Sequence, residues 1–141
     1  MEVMSLLNSL QLNNSIAHGS AFMKIAGDRY ENEAAEIVSA KGMRILSRNY
    51  FAKTGEIDII ALDGGYLVFI EVRARSNPHF LSAAASVDRR KQLKILRTAQ
   101  IFCQRNKQLA HLPCRFDVIA FETRQSSHND THRWIRSAFT A

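Results

Sequence analysis

The chain has 141 residues, 46% of them apolar and 23% charged, with a formal net charge of +6. That length holds one domain with its own core, and the composition is that of a folded globular protein rather than a disordered one. No apolar run approaches the roughly 18 residues a membrane span needs. The lack of any Lys or Arg before Lys24 argues against a basic signal or transit peptide.

Residues 1–20, rich in Asn and Ser with scattered leucines, read as a loosely attached or disordered arm, leaving 21–141 as the domain. From Phe22 to Lys41 apolar residues recur at helical spacing, with Glu31, Glu33 and Glu36 on or beside the packed face and Gly42 as a left-handed cap. MRILSRNYF follows as a first strand. Next, GEIDIIALDGGYLVFIEVRAR, residues 55–75, has the pattern of a buried β-hairpin around an Asp-Gly-Gly turn. After it, RSNPHFLSAAA reads as a loop or short helical turn. A second helix is expected from Ser86, as N-cap, to about Asn106, with an apolar stripe of Leu93, Leu96, Ala99, Phe102 and Cys103. CRFDVIAFE is a buried strand, TRQSSHND a polar loop, and THRWIRSAF a last strand or short helix. The order α-β-β-β-α-β with a terminal element predicts an α/β fold around a central mixed sheet.

The hairpin carries three carboxylates inside its apolar strands: Glu56, Asp58 and Glu71, with Arg73 close behind. If Gly64 and Gly65 form the tight turn, Asp63 pairs with Tyr66, Asp58 with Glu71 and Glu56 with Arg73. Alternation then puts all four on one face. Opposed β-carbons lie about 4.5–5.5 Å apart. Two carboxylates that close repel unless one takes a proton or a cation sits between them. A divalent ion such as Mg²⁺, which prefers oxygen ligands, removes the conflict. Arg73 can supply part of that charge itself, so an ordinary cross-strand ion network is the plain alternative.

These residues carry a resemblance. GEIDIIA, the turn, LVFIEVRAR and the later RFDVIAF resemble the YraN family of small bacterial proteins, related to archaeal Holliday junction resolvases and to the restriction-endonuclease-like superfamily. The likeness spans roughly residues 24–139. It implies a single restriction-endonuclease-like domain that cleaves DNA with Mg²⁺ or Mn²⁺ and is structure-selective for branched DNA. Carried over residue by residue, Asp58 and Glu71 resemble the metal-binding pair. Glu31, in GDRYENEAAE, resembles the helical Glu added to such sites, and Glu56 stands close enough to assist. Arg73 departs from the pattern, since the superfamily usually has Lys there. Arg does not give up its proton and is bulkier, though it holds phosphate bidentately. A nucleic-acid-binding protein that keeps the fold with little or no cleavage is therefore the alternative, and an interaction module with merely structural acids is a third.

Between Asp88 and Arg115 eight Lys or Arg face a single acid. A solvated helix face explains this charge, as does contact with a polyanion such as DNA. Arg75, Arg89, Arg90, Lys91 and Lys94 are the expected nucleic-acid contacts, Lys91 as a phosphate contact. A homodimer is compatible with the sequence. Asp117 reads equally as a third acid near the site or as the partner of an arginine such as Arg115 or Arg48. His128 and His132 read as exposed loop, and His79 as a loop histidine with no role, a phosphate contact being the lesser alternative. Cys103 and Cys114, without CxxC spacing, read as reduced and at least half-buried thiols of a cytoplasmic protein.

Overall fold

The computed structural model describes residues 21–75, 87–122 and 131–140, with the side chains of 21–27 and of Arg75 outside that description. The proposed arm, the loop after the hairpin with His79, and the polar loop with His128 lie outside the described residues. Helix α1 (Ala21–Ala40) precedes β1 (Arg44–Ala52), β2 (Gly55–Asp63) and β3 (Tyr66–Arg75); helix α2 (Arg89–Arg105) precedes β4 (Cys114–Glu122) and β5 (Thr131–Phe139). The five strands form one sheet in the order β1-β2-β3-β4-β5. All pairs are antiparallel except β3–β4, whose parallel register needs the crossover that α2 supplies. The last element is thus a strand, paired along the outer side of β4.

A sheet covered on both faces needs strands that are apolar on both sides, and β2 and β3 are. On one face Ile57, Ile60, Leu67 and Phe69 pack with Ile95, Ala99 and Phe102 of α2. On the other Ile59, Ala61, Val68 and Ile70 pack with Ala34 and Val38 of α1. At about 25 cal/mol per Å² of apolar area, these two cores supply the main stabilising contribution.

Helix α2 differs from its expected form at its start and on its face. The N-cap is Asp88, not Ser86: its carboxylate accepts the backbone N–H of Lys91 at 2.9 Å. The buried stripe runs through Ile95, Thr98, Ala99 and Phe102, leaving Leu93 exposed. Buried Thr98 is tolerated because its hydroxyl bonds the Lys94 carbonyl at 2.9 Å and the Thr54 hydroxyl at 2.7 Å. That second bond ties α2 to the β1–β2 turn. Gly55 there has φ +147, a conformation open to Gly alone, and faces the Lys94 β-carbon and the Thr98 hydroxyl.

Asp117 resolves as an arginine partner. It is fully buried and accepts from Arg115 Nε and Nη2, from Trp134 Nε1 at 2.9 Å and from the Ser137 N–H at 3.0 Å. Arg115 continues to Asp63 at 2.9 Å. Removing one partner of such a buried pair costs about 3–5 kcal/mol. This node pins β5 to β4 where the ladder shifts register between Phe116 and Val118.

Candidate metal centre

The hairpin register is as expected from Ile59↔Ile70 to Asp63↔Tyr66, and there the β2–β3 ladder stops. Asp58 pairs with neither neighbouring strand. Ile57 packs on the α2 side while Ile59 packs on the α1 side, so alternation breaks at Asp58. Glu56, Asp58, Glu71 and Arg73 therefore do not stand on one flat face, as strict alternation requires; they converge where the strands part. Asp58 fills the gap by accepting the Val72 N–H on its Oδ2 at 2.7 Å.

Two groups of acids meet at Asp58. On one side, oxygens of Glu31, Glu56 and Asp58 all lie within 4.8 Å of one another. On the other, the Asp58 and Glu71 carboxyls lie close enough to shift one another's titration. Two carboxyls that close favour a state in which one of them is neutral. Glu71 is nearly buried and pushed up to about 8, first by burial and then by Asp58, with Lys91 and Arg73 pulling the other way. Burial followed by repulsion from Asp58, Glu56 and Asp28 raises Glu31 to about 7. Glu56 and Asp58 are also raised, mainly by burial.

Two cations serve this cluster from different elements. Arg73 Nε, on β3, and Lys91 Nζ, on α2, each lie 3.4 Å from Glu71 Oε1. The Arg73 contact is electrostatic only, since its Nε is buried without a hydrogen-bond partner. Lys91 is the more exposed of the two, with 35% of its side chain open against 19% for Arg73. The cluster thus contains Asp58, Glu71, Glu31, Glu56 and Arg73, and it draws in Lys91 as well. Arg89, Arg90 and Lys94 are exposed on the first turns of α2. Arg75 ends β3, paired to Glu122 through its backbone.

Asn49 belongs to the site and was missed by sequence reasoning. With its NH₂ turned toward the acids, it donates to Glu31 Oε2 at 2.8 Å and to Glu56 Oε1 at 3.1 Å, bridging helix and hairpin. Its φ of +52 is left-handed, a region Asn enters more readily than other residues with a β-carbon. The available signal was an Asn inside a strand, a poor β-former in an otherwise apolar and aromatic stretch. Elsewhere, His132 is exposed on β5 beside the Phe121 ring rather than in a loop. Cys103 is half-buried but Cys114 is exposed; both thiols are free, and burial raises both.

The raised carboxyls fix a pH dependence. Each has an ordinary value of 4.5 for Glu or 3.8 for Asp and a higher one in the fold. Between those values the folded chain binds more protons than the unfolded chain, so stability falls as pH rises. In chelator, the melting temperature should fall as pH rises from about 5 to about 8, the window set by Glu31 and Glu71. Added Mg²⁺ or Mn²⁺ should restore it, most strongly at the alkaline end, because binding displaces those protons. Thermal melts at several pH values, with and without metal, check both signs.

The comparisons with known proteins agree with one another. The model of the family described as "Uncharacterised protein family UPF0102" matches residues 30–121. A UPF0102 protein of Saccharophagus degradans is 46% identical over 114 residues, covering 81% of this chain and 92% of the relative. Another, of Hahella chejuensis, is 44% identical with 81% and 89% covered, and one of Pseudomonas fluorescens is 41% identical with 81% and 92% covered. The family match takes in Glu31, Asn49, Glu56, Asp58, Glu71, Arg73 and Lys91, every residue of the cluster. On that match and those identities, this chain belongs to the UPF0102 family, the YraN family.

Proposed function

We propose that the chain is a divalent-metal-dependent nuclease that hydrolyses phosphodiester bonds in DNA. The observation that carries this reading is the crowding of four acids at the parted end of β2 and β3, with Asp58 common to both groups. A fold gains nothing by holding like charges within 4.8 Å at a half-buried point; a cation makes the arrangement favourable. The donor set fits Mg²⁺ or Mn²⁺: carboxylate oxygens only, with no thiolate or imidazole among them. Asp58, Glu71 and Glu31 would hold the ion, with Glu56 beside them. When bound, it supplies charge that polarises a phosphate and makes a nearby water more acidic.

The chain's own residues do the rest. Asn49 fixes the approach of Glu31 to Glu56 and so sets the spacing of the acids. To hold the ion Glu71 would release its proton to solvent, and its carboxylate would be flanked by Lys91 and Arg73. Those two cations would hold the non-bridging oxygens of a phosphate and stabilise charge that builds on it. The exposed Arg89, Arg90 and Lys94 extend the positive surface along α2 for the flanking backbone.

Cleavage assays on branched, single-stranded and linear duplex DNA, with Mg²⁺, Mn²⁺ or EDTA, test the reading. Metal-dependent cutting of the branched form is expected, and no cutting with either metal would sink the enzyme claim. Binding should also weaken steeply with salt. Neutralising Arg89, Arg90 and Lys94 together should flatten the log–log salt slope by about 0.9 for each phosphate that no longer meets a cation. An unchanged slope would return α2 to an ordinary solvated face. Arg73 favours one second reading: a binder that keeps the site but cleaves little, because a guanidinium cannot take part in proton transfer.

A further inference from the structure

Phe51 is the most exposed large apolar side chain among the described residues, at 53%. A single exposed Phe needs no explanation by itself. Its position supplies one. It lies on β1, an edge strand, directly opposite Glu56 of the acid cluster. Opposed residues share a face, with β-carbons about 4.5–5.5 Å apart. The neighbouring Tyr50 points the other way, into the α2 core, where its ring meets Phe102 edge-on at 5.2 Å. The Phe51 ring therefore stands in solvent at the rim of the acids.

The turn that follows Phe51 carries positive charge. Exposed Lys53 is two residues further on, in the β1–β2 turn. The Thr54–Thr98 hydrogen bond and the contact of Gly55 with Lys94 bring the first half of α2 against the same turn. An exposed ring at the rim of a phosphate-cleaving centre, with Lys53 on the adjoining turn and Lys94 beyond it on the α2 side of the sheet, matches the two needs of single-stranded nucleic acid. The lysines follow the backbone, and the ring offers a face on which a base can stack. An intact duplex hides its base faces in its own stack and gains only from the lysines.

We infer that Phe51 is a stacking platform for an unpaired base next to the cleaved phosphate. The inference rests on the nuclease reading and narrows its substrate to DNA with unpaired nucleotides at the site: single strands, flaps or the open centre of a branch.

The test uses the full-length chain in EDTA, so that nothing is cut, and anisotropy of a labelled oligothymidine single strand and of a blunt hairpin duplex. Phe51→Ala should weaken single-strand binding by about ten- to a hundredfold and leave duplex binding unchanged. Phe51→Trp should keep the single-strand affinity and add indole fluorescence that is quenched on binding. Equal loss on both DNAs, or loss on neither, overturns the stacking role while leaving the nuclease reading standing. A change in sedimentation of Phe51→Ala without DNA would make Phe51 a contact between copies of the chain, which also overturns it. Wild-type protein that binds neither DNA would remove the nuclease reading and this inference with it.

Discussion

Asp58→Asn and Glu71→Gln should each lower DNA cleavage by about a hundred- to a thousandfold or more, the scale for losing one positioned electrostatic group. Asp58 has the larger expected effect, because both acid groups meet at its carboxylate. Neither change should unfold the chain. An Asn side-chain oxygen can still accept the Val72 N–H that Asp58 takes at 2.7 Å. A Gln at position 71 is neutral, as the Glu71 carboxyl is below about pH 8. Both variants relieve like-charge crowding, so without metal they should melt no lower than the wild type. DNA binding should stay intact or tighten, since less negative charge faces the phosphates. A rate loss accompanied by lower melting would instead assign these acids a structural role. Cleavage kinetics, anisotropy and thermal melts on the same preparations separate the two.

What the sequence made legible follows from how local the cause of each feature is. The strand periods and the Asp-Gly-Gly turn are local, and they yielded the hairpin register from Ile59 to Asp63 without error. The break at Asp58 was not legible, because strict alternation makes no provision for a residue whose side chain replaces a ladder bond. Asp58 and Glu71 meet through that irregularity rather than through flat pairing. The stripe of α2 was misread at Leu93 for a related reason: which side of a helix is buried depends on the angle at which it crosses the sheet. The Thr54–Thr98 bond and the tight approach at Gly55 help to fix that docking, and both are long-range. Asn49 lay in plain view as an odd residue in a strand, yet its two partners come from α1 and β2, far apart in the chain. Resemblance supplied Glu31, and the fold brings its carboxylate within 4.8 Å of those of Glu56 and Asp58, a long-range approach that no local pattern in the sequence encodes.

Arg73 and Lys91 decide between enzyme and binder. Both reach the same Glu71 oxygen at 3.4 Å, one from the strand and one from the helix. Arg73 is the more buried and anchors the cluster; Lys91, more open to solvent, is better placed to follow a phosphate. For an active nuclease, Arg73→Ala should lower the rate by about a hundredfold or more. Arg73→Lys should preserve or raise it, because a compact ammonium fits where the guanidinium Nε now finds no hydrogen-bond partner. Lys91→Ala should cost about as much as Arg73→Ala if each cation holds its own oxygen. If one can stand in for the other, each single change costs less, and the double change should exceed the sum of the two in free energy. Melting in chelator provides the control, since losing either cation leaves the Asp58–Glu71 pair less compensated and should lower stability at neutral pH. One pattern would hand the result to the binder: wild-type protein that binds DNA, cleaves nothing with either metal, and gains activity in Arg73→Lys. In that outcome the acids, Asn49 and Lys91 form a complete centre, and the residue at position 73 alone keeps it from turning over.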